Sequence, residues 1–157
     1  MRYFIIIFFF FLLNCRNEKN ELKENDIVKI THESNGIVNN ITENYYVLDK
    51  RFKEPGKHSL MMSKDEISLI KKVIINKKIY ALDDSLKFVK YCEGKGCLSE
   101  IVIQYKSGRK QHFIFDNANY KDNFKNTAYK KIIYLEGRIG EIYRSKKIDP
   151  EPINVYL

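Results

Sequence analysis

The chain has 157 residues and a formal net charge of +8, with 44% hydrophobic and 31% charged residues. This length suits one domain with a hydrophobic core. The lysines are dispersed among acidic residues instead of forming one basic block, which argues against a nucleic-acid-binding protein. The basic balance favours anionic lipid headgroups, polysaccharide or an acidic protein as partners.

The first fifteen residues have the pattern of an export signal. Arg2 is followed by ten consecutive apolar residues, 4–13, and then by Asn14 and Cys15, after which the composition turns polar. About 20 apolar residues are needed to cross the hydrocarbon core of a membrane. The short run therefore predicts a signal peptide rather than a membrane-spanning helix.

The residues Leu12-Leu13-Asn14-Cys15 resemble the lipobox of bacterial lipoproteins, in which a signal peptidase cuts before a diacylated cysteine. Most lipoboxes carry Gly, Ala or Ser where this chain has Asn14. The resemblance implies removal of residues 1–14, a lipid on Cys15, and anchoring to a membrane of the bacterial envelope, at the outer membrane or the periplasmic face. The alternatives are an ordinary signal peptide or an uncleaved anchor, but small residues of the Ala-x-Ala kind are missing and the apolar run is short.

Removal of the signal leaves 143 residues. Residues 15–26 are almost wholly polar after the cysteine, and we expect them to form a flexible tether. Residues 27–148 carry the strand and helix patterns of a single domain. Residues 149–157 contain Pro150 and Pro152, and we expect a C-terminal tail.

Two cysteines remain after Cys15, and Cys92 and Cys97 bracket four residues that include Gly94 and Gly96. An even number of cysteines in an exported protein favours a disulfide. The alternatives are a redox pair, which usually has Cys-x-x-Cys at a helix start, or half of a zinc site, which needs two further ligands. The sequence predicts the structural disulfide, with no metal and no cofactor.

Alternating apolar residues and turn signals predict strands at 27–31, 45–49, 58–62, 86–91, 100–105 and 111–115. We expect the last three to form an antiparallel meander whose first hairpin is closed by the disulfide. Ile101, Ile103 and Tyr105 share one face, with Phe113 and Phe115 as partners from the next strand.

Two helices are predicted. Ser63 and Glu66 form a capping box, and an apolar stripe follows, which indicates a helix over 64–76. Apolar residues spaced by three and four predict a second helix over 120–144, in which Gly137 and Gly140 mark close packing, a kink or an early end. The layout predicts an α+β fold: an antiparallel sheet of about five or six strands with two helices on one face. It resembles the small lipoproteins of the Bacteroidota, which share no assigned activity.

Few residues point to chemistry. His112 and Asp116 are four apart on a predicted strand, and such a pair is a possible acid–base unit. A solvent-facing histidine on an alternating strand is the simpler interpretation. Asp83 and Asp84 fit either calcium binding or a turn. His32 and His58 lie near predicted loops without evident partners, and the lysines at 71, 72, 77, 78, 125, 130 and 131 suit a solvated helix face or a basic patch.

Two functions remain open. The first is a membrane-tethered, non-catalytic binding module for an envelope protein or glycan, such as an inhibitor or immunity protein. The second is an envelope hydrolase that uses His112 and Asp116. A hydrolase requires a concave pocket in which polar groups converge, whereas a binding module can present a flat surface or a sheet edge.

Overall fold

The computed structural model describes residues 22–92, 97–116, 120–148 and 150–153. The predicted signal peptide, Cys15, the first part of the tether and the end of the tail lie outside these residues. No helix within the described ranges is both long and apolar enough to cross a membrane.

One sheet of seven strands organises the described chain, in the order β4-β3-β2-β1-β6-β7-β5. Neighbouring strands are antiparallel except β5 and β7, which are parallel. The strands are β1 Ile27–Ser34, β2 Ile37–Asn40, β3 Tyr45–Leu48, β4 Gly56–Ser59, β5 Ser85–Phe88, β6 Leu98–Tyr105 and β7 Lys110–Asp116.

Three α-helices accompany the sheet: α1 Lys64–Asn76, α2 Tyr120–Asn123 and α3 Thr127–Ser145. Short 3₁₀ helices occur at Glu24–Asp26 and Ile79–Ala81. The α+β class is confirmed, but the sheet is mixed and has one strand more than predicted. The additional strand is β2, which is only four residues long and ends in two asparagines, so its sequence carries a weak strand signal.

The predicted meander of the last three strands is wrong. β5 pairs with β7 at the edge of the sheet, while β6 lies between β7 and β1. The connection from β5 to β6 therefore crosses the end of β7. Cys92 and Cys97 form the predicted disulfide, with 5.8 Å between their Cα atoms, but it closes this crossing connection rather than a hairpin.

The first hairpin turns at Asn35 and Gly36, whose φ angles are 52° and 78°. Two successive positive φ angles are those of a type I′ turn, which matches the twist of the flanking strands and favours Asn-Gly. This turn leads directly into β2.

Helix α1 begins as predicted. The backbone amide of Glu66 donates to Ser63 Oγ at 3.2 Å, and the amide of Ser63 donates to Glu66 Oε2 at 2.7 Å. Ile70, Val73 and Ile74 are buried on its inner face. Capping and periodicity were sufficient to predict the start and the buried face of α1, because both depend on residues only a few positions apart.

The second predicted helix is divided. The helix is interrupted between α2 and α3. The side chain of Asn126 caps α3 by accepting a hydrogen bond from the Tyr129 amide at 3.1 Å. Phe124 lies before this cap and is 47% exposed, so it is not part of the buried stripe. α3 continues through Gly137 and Gly140 to Ser145, and neither glycine ends it.

Helices α1 and α3 pack antiparallel over one face of the sheet. Lys146, just after α3, lies 2.8 Å from Glu66 near the start of α1, and Lys77, just after α1, lies over the ring of Tyr134 in α3 at 4.6 Å. The fully buried side chains between helices and sheet include Ile30, Ile70, Ile74, Ile101, Ile103, Phe113, Phe115, Tyr129, Ile132, Leu135 and Ile139. The predicted inward face of β6 and β7 is confirmed.

The folded part begins earlier than predicted. Leu22 packs against the core, and Ser68 Oγ of α1 donates to Glu24 Oε2 at 2.6 Å. Residues 22–26 therefore contact the folded domain, and the tether stays a prediction for the residues before Leu22. At the other end, Ile153 N donates to Arg51 O at 2.7 Å, so part of the predicted tail pairs with the loop between β3 and β4.

Candidate functional site

Four polar and aromatic side chains form a row across β1, β2, β3 and β4 on the side that faces the helices. The strand register places His32 opposite Asn39, Asn39 opposite Tyr46, and Tyr46 opposite His58. Directly opposed residues on antiparallel strands point to the same face. We call these four residues the polar row.

The outer half of the row lines a cleft of about 460 Å³. The rings of Tyr46 and His58 are stacked, with centroids 5.1 Å apart and an interplanar angle of 19°. The ring of His58 is held by a contact of 2.8 Å between Nε2 and the carbonyl oxygen of Glu54. Apolar side chains from both walls complete the surface, among them Leu48, Leu60, Met61, Ile148 and Pro150.

Charged residues surround this cleft. The ion pair of Lys146 with Glu66 is partly protected, because each side chain is only 25% exposed. The hydrogen bond from Lys146 is the main reason that the pKa of the Glu66 carboxyl lies below the ordinary value of a glutamate. Lys53 forms an ion pair with Glu151, which ties the tail to the cleft wall.

The inner half of the row is buried and does not line the cleft. His32 is 6% exposed and Asn39 is 3% exposed. Both ring nitrogens of His32, Oδ1 of Asn39 and the hydroxyl of Tyr143 are buried without a hydrogen-bond partner among the described residues. Glu136 Oε1 lies 3.8 Å from His32 Nε2, which exceeds a hydrogen-bond distance.

Unpaired buried polar atoms are unusual, since each costs about 1–3 kcal/mol of unfolding free energy. In proteins, ordered water or a polar ligand group commonly supplies the missing bonds. Burial also raises the pKa of Tyr143, so its hydroxyl keeps its proton and remains a donor. The inner half of the row is therefore suited to hydrogen-bond a polar group.

The predicted site residue His112 lies on the face of the sheet opposite to α1 and α3. Its Nε2 is 2.8 Å from Oε2 of Glu100 on the neighbouring strand, and both side chains are about one third exposed. The carboxylate nearest to His112 in the described structure thus comes from β6 instead of from Asp116.

Asp116, the other predicted partner, supports the β5–β6 connection. Its Oδ2 accepts hydrogen bonds from the amides of Lys90 and Tyr91 at 3.0 and 3.1 Å, and the residue is 1% exposed. Because this buried carboxylate accepts two backbone amides, it holds the β5–β6 connection in place at the end of β7.

Asp84, which the sequence left open between a turn and calcium binding, is engaged by a cation. Its Oδ1 accepts from Arg109 Nε at 2.6 Å. Within the described ranges, no group of three or more His, Cys, Asp or Glu side chains is arranged to hold a metal ion.

Sequence reasoning did not find the polar row. Its members are separated by 7, 7 and 12 positions and lie on four strands, so no local spacing connects them. The available signal was that His32 follows the predicted strand at 27–31 and His58 begins the predicted strand at 58–62. No family model, curated protein or solved structure matches this chain.

Proposed function

We propose that the chain is a lipid-anchored lipoprotein of the bacterial envelope, modified on Cys15, that acts as a non-catalytic binding module. The proposed partner is an envelope protein, which inserts part of its surface into the cleft between the β3–β4 hairpin and the end of α3. The lipobox-like sequence at residues 12–15 supports the anchor. Export also provides the oxidising compartment in which the disulfide of Cys92 and Cys97 forms.

The polar row is the observation that carries the binding proposal. Its outer members, Tyr46 and His58, are accessible in the cleft, and its inner members, His32 and Asn39, have buried atoms without protein partners. A partner can place an apolar group against the stacked rings of Tyr46 and His58, while hydrogen bonding to His32 requires that the buried end of the row open toward the cleft. Large apolar contact with a few placed polar groups is the usual composition of a binding pocket.

A protein segment fits the cleft because of the sheet edge beside it. β4 is the terminal strand of the sheet, and His58, Ser59, Leu60 and Met61 border the cleft from this strand and the residues after it. Edge strands pair with extended peptides through backbone hydrogen bonds, while adjacent pockets accept side chains. Met61 is 75% exposed at the rim and suits adaptable apolar contact.

Binding is favoured over hydrolysis by how the titratable side chains are engaged. His58 Nε2 contacts the Glu54 carbonyl oxygen, His112 contacts Glu100, and Asp116 accepts two backbone amides. A general base requires a lone pair directed at the proton of a substrate or nucleophile. One ring nitrogen of each histidine is held by the protein, and Asp116, which is 1% exposed, uses Oδ2 for two backbone amides, which weakens the predicted pair of His112 with Asp116.

The anchor is tested by intact mass of the protein purified from bacterial membranes. We expect a chain that begins at Cys15 and carries added diacylglycerol mass, and a Cys15→Ala variant without that mass. An unmodified chain that retains Met1 contradicts the lipoprotein proposal.

The binding site is tested by capture of envelope proteins on the immobilised domain, followed by mass spectrometry. We expect one saturable partner whose recovery falls at least tenfold for Tyr46→Leu with His58→Ala. Tyr120→Leu is the matched control, because Tyr120 is 56% exposed and does not line the cleft. Equal recovery by all variants contradicts the cleft as the binding site, and recovery of a glycan alone contradicts a protein partner.

A further inference from the structure

The surface where the described chain begins is formed by three segments in contact. They are residues 22–26, residues 72–84 at and after the end of α1, and the β6–β7 turn at 106–110; we call this surface the tether face. Lys106 N donates to Asp26 O at 2.8 Å, and Lys72 Nζ lies 3.9 Å from Glu24 Oε1. Arg109 Nη2 donates to Leu82 O at 2.8 Å, which joins the turn to the segment after α1.

The tether face is basic. Its cations are Lys23, Lys72, Lys77, Lys78, Lys106, Arg109 and Lys110, and its carboxylates are Glu24, Asp26, Asp83 and Asp84. Two of these carboxylates are engaged by cations of the same face, Glu24 by Lys72 and Asp84 by Arg109. The other five lysines are exposed and form no salt bridge within the described residues. The face therefore presents an excess of positive charge to solvent.

The proposed anchor holds this face close to the membrane. Only residues 16–21 separate Cys15 from Leu22. A fully extended chain advances at most about 3.6 Å per residue, so Leu22 lies within about 25 Å of the lipidated cysteine. Lysines near a membrane surface are attracted to anionic headgroups over roughly one Debye length, about 8–10 Å at physiological ionic strength.

We propose that the tether face lies against the anionic headgroups of the anchoring membrane and so sets the orientation of the domain. This inference rests on the proposed anchor and adds a second contact to it. One acyl-bearing residue fixes position but not rotation, whereas several lysines on one face fix which side is turned to the bilayer.

The orientation keeps the cleft accessible. Residues 22–26 contact α1 at Ser68 and Lys72, while the cleft lies before the start of α1, at Leu60 and Met61. From Ser63 to Lys72 the helix advances about 13 Å at 1.5 Å per residue. A partner therefore approaches the β4 edge from a part of the surface that the headgroups do not cover.

The experiment measures binding of the chain from residue 15, with Cys15→Ser, to lipid vesicles by flotation. This chain retains every described residue and has no lipid, so the outcome does not depend on acylation. The probes are vesicles of phosphatidylcholine alone and vesicles with 30 mol% phosphatidylglycerol. We expect salt-sensitive binding to the anionic vesicles only.

Two triple variants of equal charge change test the location. Lys23→Glu with Lys78→Glu and Lys106→Glu alters the tether face, and we expect binding to fall about tenfold or more. The control is Lys121→Glu with Lys125→Glu and Lys130→Glu, which lie near the other end of β7, where Tyr129 contacts Asp116. We expect this control to retain binding within about threefold.

Equal loss in both triple variants overturns the proposal, because net charge alone then explains the binding. Binding that is absent in the parent chain, or unchanged in the tether-face variant, also overturns it. Failure of the anchor is recognised separately, by the missing diacylglycerol mass on the native protein. Circular dichroism and thermal unfolding confirm that each variant is folded before its binding is compared.

Discussion

Lys146 Nζ lies 2.8 Å from Glu66 Oε1, and this contact joins the end of α3 to the N-terminal cap of α1. The same carboxylate group receives the Ser63 amide through its other oxygen. The Glu66 carboxylate therefore caps the start of α1 and also binds the end of α3. Because Lys146 also lines the cleft, the ion pair couples helix packing to the shape of the proposed binding site.

The first prediction concerns this pair and pH. Lys146→Met should lower the unfolding free energy by about 0.5–1 kcal/mol at pH 7, as expected for a partly exposed ion pair. The folded pKa of Glu66 is lowered, chiefly by the Lys146 hydrogen bond, so its stabilisation is present above the unfolded pKa of about 4.5 and is lost as pH falls through the folded value. Urea unfolding at pH 7 and pH 2.5 measures this difference. A deficit of the same size at both pH values would show that lost packing, not charge, is responsible.

The second prediction separates the roles of Asp116 and His112. Asp116→Ala leaves the buried amides of Lys90 and Tyr91 without their acceptor, and we expect a loss of about 2–3 kcal/mol. His112→Ala removes a pair that is about one third exposed, and we expect at most about 1 kcal/mol. Denaturant unfolding of both variants checks the contrast. Similar losses would contradict this contrast, and a hydrolytic activity abolished by both substitutions would support the acid–base interpretation instead.

The third prediction concerns the disulfide between Cys92 and Cys97. Replacing both residues by serine should reduce the unfolding free energy by about 2 kcal/mol, the chain-entropy value for so short a loop. The matched control is the parent protein unfolded under a reductant, which should lose the same amount. An unchanged midpoint after both treatments would show that the disulfide adds no stability to the connection, which Asp116 and Asp122 also hold.

The fourth prediction concerns the buried end of the polar row. His32→Leu removes two ring nitrogens that lack partners in the described structure, and we expect unfolding free energy to rise by about 1 kcal/mol. Partner capture should fall, because leucine has no nitrogen with which to hydrogen-bond a polar group of the partner. Thermal unfolding and the capture assay are measured on the same preparation. A destabilised variant with full capture would indicate that His32 is structural.

Features that depend on neighbours in sequence were predictable. Ser63 and Glu66 are three positions apart, and their mutual hydrogen bonds need no other element. The alternation that buries Ile101 and Ile103 follows from strand geometry. The break before α3 was missed because Asn126 has the residue type of a cap but lies within an apolar repeat that continues on both sides.

Propensity and spacing over a few residues are enough to predict the α+β class, the capped start of α1, the Asn35-Gly36 turn and the pairing of Cys92 with Cys97. The parallel pairing of β5 with β7 depends on the whole fold. It makes the β5–β6 connection cross the end of β7, where Asp116 accepts the amide of Lys90 from that connection. The tertiary structure also assembled the polar row from β1 to β4. Strand order is chosen by burial of whole faces and by long-range pairing, and neither leaves a signal in any single segment.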